Sequence, residues 1–146
     1  MAGTHALGGA VTAQTVSWTH TAAVAAVIHS IIATLYVPNK ATILDVILEV
    51  TAVGDTGATL EYDVGDASGP ATPDDNRFVD QFSGQATGAI RASDSAGLLE
   101  GTYTYRSLKG TDDSQVEQGI ELTIAAAAAT GAIATGRLTI VYYAAA

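Results

Sequence analysis

The chain has 146 residues and a mass of 14.8 kDa, which suits a single domain. Charged residues make up 14% of it, cysteine is absent, and the net charge is −9. These values exclude a disordered tail, a coiled coil, a disulfide framework and a zinc finger. They also disfavour nucleic acid as a partner, because phosphate binding uses clustered Lys and Arg. We therefore expect an acidic β domain with no cofactor.

The charges are distributed unevenly along the chain. No Asp, Glu, Lys or Arg occurs from Met1 to Asn39, whereas thirteen of the fifteen acidic residues lie between Asp55 and Glu121. A free surface usually mixes charges of both signs. The uncharged stretch is therefore expected to be buried in a membrane, in the domain's own core or against a neighbouring subunit.

A membrane is the weakest of these three expectations. The apolar run Ala22–Val37 is shorter than the roughly 20 residues that span a bilayer, and it contains His29 and Ser30. It is rich in β-branched residues and ends at Pro38, which suits a strand. No positively charged segment precedes it, as a signal peptide would require. We expect a protein made in the cytoplasm, with no membrane partner.

The first third of the chain is predicted to form an arm and two strands. Residues Met1–Ala13 are predicted to be a flexible N-terminal arm, followed by one domain over residues 14–146. Alternation predicts a strand at Gln14–His20 and a mostly apolar strand at Ala26–Val37, whose alanine-rich start could open as a helical turn. We interpret His20 as a residue at the rim of the fold and His29 as a hydrogen-bonded interior residue.

Shorter strands follow, of which Thr42–Val53 has the clearest pattern. Its predicted inward face carries Leu44, Val46, Leu48 and Val50, and its other face carries Ile43, Asp45, Ile47, Glu49 and Thr51. Further strands are predicted within 59–64, 77–82, 86–91, 102–107, 119–125 and 136–143, with a polar loop over 65–76 and a hairpin tip at 125–129. Eight or nine short strands predict an antiparallel β-sandwich or jelly roll.

Motifs of known catalytic sites are missing from the sequence. The three histidines are not spaced as H-E-x-x-H, and neither G-x-S-x-G nor a phosphate-binding glycine loop occurs. The acidic pairs Asp74–Asp75 and Asp112–Asp113 lie in predicted loops, whereas a glycosidase needs two carboxylates in one rigid cleft. We therefore expect no enzymatic activity, with a glycoside or peptidoglycan hydrolase as the disfavoured alternative.

Two groups of residues could form binding sites, and each group also has a purely structural interpretation. Asp66, Asp74 and Asp75 offer oxygen ligands for calcium, but the calcium-loop spacing is missing and a solvated acidic loop is favoured. Tyr103, Tyr105 and Arg106, together with Phe78 and Phe82, could instead form a platform on which a sugar stacks. Aromatic residues at a spacing of two are more often part of a core or an interface.

Three segments resemble a pattern common in virion proteins of tailed phages. The first is the stretch LYVPNKATILDVILEV at 35–50, where a strand ending in Val-Pro is followed by a turn and a second strand. The second combines Val64–Asp66 with Asp74–Asp80 (VGD, then DDNRFVD), and the third combines Ile120–Ala125 with Gly131–Tyr143. The segments keep their order and together cover about two-thirds of the chain.

The resemblance implies a small β-sandwich component of a phage particle, such as a capsid decoration (cement) protein. It would act as a homo-oligomer, most simply a trimer, on the major capsid protein, and it would be located in the virion. The uncharged leading third would supply the interface, for which the candidate residues are Thr4, Leu7, Val11, Trp18, Ile28 and Ile31. The alternative is a carbohydrate-binding module of a head fibre or tail, which a glycan array with and without calcium tests.

Overall fold

The structure is a computed structural model that describes residues 9–38, 41–53, 59–66, 76–94, 103–104, 118–126 and 133–145. The described residues form nine β-strands, a four-residue α-helix and a short 3-10 helix over Ala92–Asp94. In chain order the elements are β1 Gly9–Thr19, α1 Ala22–Ala25, β2 Ile31–Val37, β3 Thr42–Val53, β4 Glu61–Gly65, β5 Val79–Ser83, β6 Gly88–Arg91, β7 Tyr103–Thr104, β8 Gln118–Ala126 and β9 Ala134–Ala145. No helix in this part of the chain is long and apolar enough to cross a membrane.

The strands form two antiparallel sheets, as the sequence predicted. One sheet has the order β1-β9-β3-β6, with β7 also paired to β3, and the other has the order β2-β8-β4-β5. The described strands pair in a nested way: β1 with β9, β2 with β8, β3 with β6 and β4 with β5. Consequently β1 and β2 lie at one side of the sandwich, and β5 and β6 lie at the other.

The core lies between the two sheets and is built by alternating strand residues. Three of the four residues on the predicted inward face of β3 are buried, as are the alternating residues of the other long strands: Tyr62, Val64, Ile120, Leu122, Ile124, Leu138, Ile140 and Tyr142. The largest fully buried side chains are Tyr62, Phe78, Ile43, Leu48, Leu60, Ile120, Leu122, Ile124, Leu138, Ile140 and Val37. No disulfide or metal is needed for a core of this size at this chain length.

A β-bulge changes the predicted faces at the start of β3. The bounds of this strand agree with the prediction, but its pairing with β9 shifts between Ile43 and Asp45. The extra residue reverses the alternation locally, so Ile43 is fully buried and Leu44 is half-buried. The prediction that Leu44 faces inward and Ile43 outward was therefore wrong.

Two predicted boundaries near the start of the chain also differ from the structure. β1 begins at Gly9, because residues 9–13 pair with the last residues of β9, so this part of the predicted arm belongs to the sheet. The predicted strand at Ala26–Val37 begins only at Ile31. Before it lie α1, which Thr21 caps by accepting a hydrogen bond from the Val24 amide, and a turn in which His29 has a positive φ.

Candidate interaction surface

The elements described at one side of the sandwich carry no charged residue. We call β1, the connection over 20–30 and β2 the uncharged edge, since Asp, Glu, Lys and Arg are absent from all of them. Among the described strands, β1 pairs only with β9 and β2 pairs only with β8, so each has one unpaired side. Sheet edges in soluble proteins are usually protected by charged residues, proline or bulges. The uncharged edge has one bulge, between Ile31 and Ala33.

Exposed apolar side chains are concentrated on the same edge. Six large apolar side chains are exposed in the described part of the chain, and five of them lie between Val11 and Tyr36. Val11 is 64% exposed, and Tyr36, at the far end of β2, is 55% exposed. The others are Val27, Ile28 and Ile31. An edge with several exposed apolar side chains and no charged residue is suited to contact with another molecule.

The core is incompletely covered behind this edge. All residues of β8 from Ile120 to Ile124 are buried, but in the neighbouring β2 the four residues from Ile32 to Leu35 are only half-buried. On β1, Val16 is half-buried although it faces inward beside Trp18. A further layer of protein against β1 and β2 would bury this apolar surface, at about 25 cal/mol for each Å² removed from water.

The connection between β1 and β2 is fixed to the core at two points. At its far end, the His29 amide donates a hydrogen bond to the Ile124 carbonyl (2.8 Å), and the Ile124 amide donates to the Ser30 carbonyl (3.1 Å). At its near end lies His20, whose ring is buried. These contacts hold the exposed side chains of Val27 and Ile28 at the surface.

The His20 ring belongs to an aromatic cluster with Trp18 and Tyr62. It stacks on the Trp18 indole with an interplanar angle of 7°, and its Nε2 lies 2.7 Å from the Tyr62 hydroxyl. Its Nδ1 lies 3.2 Å from the Thr21 carbonyl. Burial lowers the pKa of His20 and raises the pKa of Tyr62. The expected assignments of the two histidines were therefore reversed: His20 is interior and His29 is exposed.

A glycine makes room for the tryptophan. Gly136 of β9 pairs with Trp18, and a Cβ atom at this position would collide with the indole and with the Glu49 carbonyl oxygen. The absence of a side chain at Gly136 lets the indole lie across β9. Trp18 is 5% exposed, so the structure places it in the core of its own domain and not on the predicted interface.

The opposite side of the sandwich is rich in charge. We call β5, β6 and the charged residues tied to them the charged edge. The Arg77 guanidinium contacts the buried Asp66 carboxylate at 2.9 Å, and Arg91 contacts Asp45 at 3.0 Å. Asp63 accepts a hydrogen bond from the Gln81 amide (2.8 Å), where Gln81 has a positive φ. Two ion pairs and this side-chain-to-backbone hydrogen bond thus hold the charged edge to the rest of the sandwich.

The remaining predicted interface residues have different outcomes. Val11, Ile28 and Ile31 are exposed on the uncharged edge, which leaves them able to contact another chain, and their role stays a prediction. Thr4 and Leu7 lie outside the described residues. The sequence prediction missed Tyr36 and Val27, whose exposure depends on where β2 sits in its sheet and where the connection turns.

The described residues form no calcium site from the three predicted aspartates. Asp66 is fully buried and paired with Arg77, so it is not part of a solvated loop as was favoured. Asp74 and Asp75 lie outside the described residues. Within residues that the structure describes, no group of three His, Cys, Asp or Glu side chains could hold a metal ion.

The sugar platform is only partly described. Phe78 is fully buried and Phe82 is half-buried, so Phe78 offers no surface for a sugar to stack on. Tyr103 lies in the short strand β7, paired with Ile43, while Tyr105 and Arg106 lie outside the described residues. The acidic pair Asp112–Asp113 also lies outside them.

Comparisons with known proteins identify structural neighbours. No protein-family model matches the chain, and no curated protein does. A chain of the cyanophage Pam1 capsid asymmetric unit matches with a TM-score of 0.64 and 21% identity, covering 98% of this chain and 91% of that one. A chain of the capsid of Ralstonia phage GP4 matches with a TM-score of 0.59 and 24% identity, covering 93% and 85%. This chain shares the fold of phage capsid chains. Phage virion proteins are also the class that its sequence motifs resemble.

Proposed function

We propose that the protein is a non-enzymatic structural component of a phage particle: a decoration (cement) protein that stabilises the capsid. It would act as a homo-oligomer, most simply a trimer, bound to the major capsid protein, and it would join the particle in the host cytoplasm. The uncharged edge carries this proposal, because two apolar strand edges without charges suit contact with other protein chains. The fold shared with two phage capsid chains supports it.

The arrangement of charge supports the same proposal. With a net charge of −9, two copies of the chain repel each other unless they meet at a neutral surface. The uncharged edge is such a surface, and contact there buries no charged side chain. The acidic residues between Asp55 and Glu121 that are not buried in the subunit would then face solvent and keep particles apart.

The strand pairing supports a more specific description of the fold than a β-sandwich. We infer that the sandwich is a jelly roll, because the nested pairing of β1 with β9, β2 with β8, β3 with β6 and β4 with β5 is what two rolled-up antiparallel sheets produce. Jelly rolls are common among viral capsid domains. A decoration protein of this kind stabilises a shell because it binds the assembled state and not the separate subunits.

Co-sedimentation tests the proposed function. The purified chain is mixed with expanded shells of the phage that encodes it, from which the chain is missing, and the shells are pelleted. We expect saturable binding at a fixed number of copies per shell, and a higher melting temperature of decorated shells. A monodisperse monomer that stays in the supernatant at all concentrations would contradict the proposal.

A further inference from the structure

The aromatic cluster at the start of the β1–β2 connection has a hydrogen-bond arrangement that depends on protonation. The Thr21 carbonyl can only accept, so His20 donates to it from Nδ1. Nε2 is then without a proton in the neutral ring, and it accepts a hydrogen bond from the Tyr62 hydroxyl. Tyr62 is fully buried. The observed contacts therefore fit the neutral imidazole with its proton on Nδ1.

A second proton on His20 conflicts with this arrangement. Nε2 would then also be a donor, and the Tyr62 hydroxyl facing it would have to turn its own proton away from the ring inside the core. Trp18 from β1 and Thr21 ahead of α1 also contact the ring, and neither titrates. No charged side chain in the described part of the chain pairs with the ring to stabilise its positive charge.

The His20 ring also helps to hold the β1–β2 connection against the core. The Thr21 carbonyl that accepts from His20 also accepts from the Ala25 amide, and the Thr21 hydroxyl caps α1. α1 in turn places Ala25 in the core, just before the exposed Val27 and Ile28. A displacement of the His20 ring would therefore be transmitted to the apolar side chains of the uncharged edge.

We propose that His20 is an acid-sensitive latch: the neutral ring fastens the β1–β2 connection to the core, and protonation releases the connection. The effect on stability has a defined sign. Burial lowers the pKa of His20 below its ordinary value of 6.5, so the unfolded chain takes up the proton first as the pH falls. The contribution of the latch is fully present above pH 6.5 and declines as the pH falls from 6.5 towards the lowered pKa.

The tryptophan supplies a direct measurement. Trp18 is the only tryptophan in the chain, and it stacks on His20, so its fluorescence emission reports the state of this ring. We expect the wild-type emission to change between pH 8 and pH 4.5 with a midpoint below 6.5. His20→Gln keeps an acceptor for Tyr62 but cannot titrate, and should abolish the transition. His29→Asn, which tolerates the positive φ, is the control and should leave it unchanged.

Two further measurements separate a latch from general acid destabilisation. Tyr62→Phe removes the hydrogen bond that favours the neutral His20 ring, so the midpoint of the fluorescence transition should move to higher pH. This variant also tests the latch if His20→Gln does not fold. Hydrogen exchange, corrected for the intrinsic effect of pH, should show lost protection at acid pH in residues 20–30 while β3 and β9 keep theirs. An unchanged emission, the same transition in His20→Gln, an unmoved midpoint in Tyr62→Phe, or a uniform loss of protection would each overturn the proposal.

Discussion

The two edges of the sandwich differ in the side chains that they present at the surface. The charged edge is secured within the subunit: Asp66 with Arg77 and Asp45 with Arg91 form ion pairs, and Asp63 holds the backbone of Gln81. The uncharged edge has half-buried and exposed apolar residues and two strands with an unpaired side. Among the described strands, all four outer ones, β1, β2, β5 and β6, have one unpaired side, and the two edges differ in their side chains: ion pairs at one, uncharged and exposed apolar residues at the other. This difference is the reason for proposing the uncharged edge as the interaction surface.

The largest effect on stability is expected at the charged edge. Asp66 is fully buried, so Asp66→Ala leaves the Arg77 guanidinium without its carboxylate in a partly buried place and should lower the free energy of unfolding by about 3 kcal/mol. The pair of Arg137 with Glu49 is far more exposed, so Glu49→Ala should lower the free energy of unfolding by much less than Asp66→Ala does. Chemical denaturation measures both values. Equal losses would show that burial does not distinguish the two pairs.

Two glycine substitutions compare the packing behind Trp18 of the uncharged edge with the packing in β6 of the charged edge. Gly136→Ala places a methyl group against the Trp18 indole and the Glu49 carbonyl, and should lower the free energy of unfolding by about 2 kcal/mol or more. At Gly88 of β6 the nearest atom to a new Cβ is Cζ of Phe82, at an ordinary 3.9 Å. Gly88→Ala should therefore change stability by less than about 1 kcal/mol in either direction. A tolerated Gly136→Ala would mean that Trp18 is not packed as described.

Much of the fold follows from local pattern. The bounds of β3 and the buried residues Val46, Leu48 and Val50 could be predicted because strand residues alternate between faces. The same alternation placed Val16 and Trp18 on one face. It could not reveal whether that face meets the core or another chain, because the deciding residue, Gly136, lies over a hundred positions away and its pairing with Trp18 is a property of the sheet.

Other features of the surface were outside the reach of the sequence. The bulge at Ile43 and Asp45 reverses two side chains, and nothing in the local pattern signals it. His20 and His29 look alike as residues near strand ends. They differ because His20 meets Tyr62 from the other sheet, a contact between residues 42 positions apart. The uncharged stretch itself was visible in the sequence, although its position on one side of the sandwich required the topology.

The smallest change in stability is expected from shortening the chain at its start. Residues 9–13 pair with the end of β9 but include none of the buried core residues, so removal of residues 1–13 should leave the sandwich folded. It also removes Val11, and we expect weaker self-association. Thermal melting and light scattering measure the two effects. A truncated chain that aggregates as an unfolded polypeptide would show that this segment is essential to the fold.

The mass of the purified chain in solution tests the central claim most directly, that the uncharged edge binds other copies of the protein. Ile31→Glu and Thr87→Glu place the same charge at two exposed residues, of which Ile31 lies on the uncharged edge and Thr87 lies just before β6 on the opposite side. Light scattering should give the mass of an oligomer for the wild type and for Thr87→Glu, and the mass of a monomer for Ile31→Glu, with all three equally folded by circular dichroism. A monomeric wild type, or an oligomer that Ile31→Glu leaves intact, would contradict it.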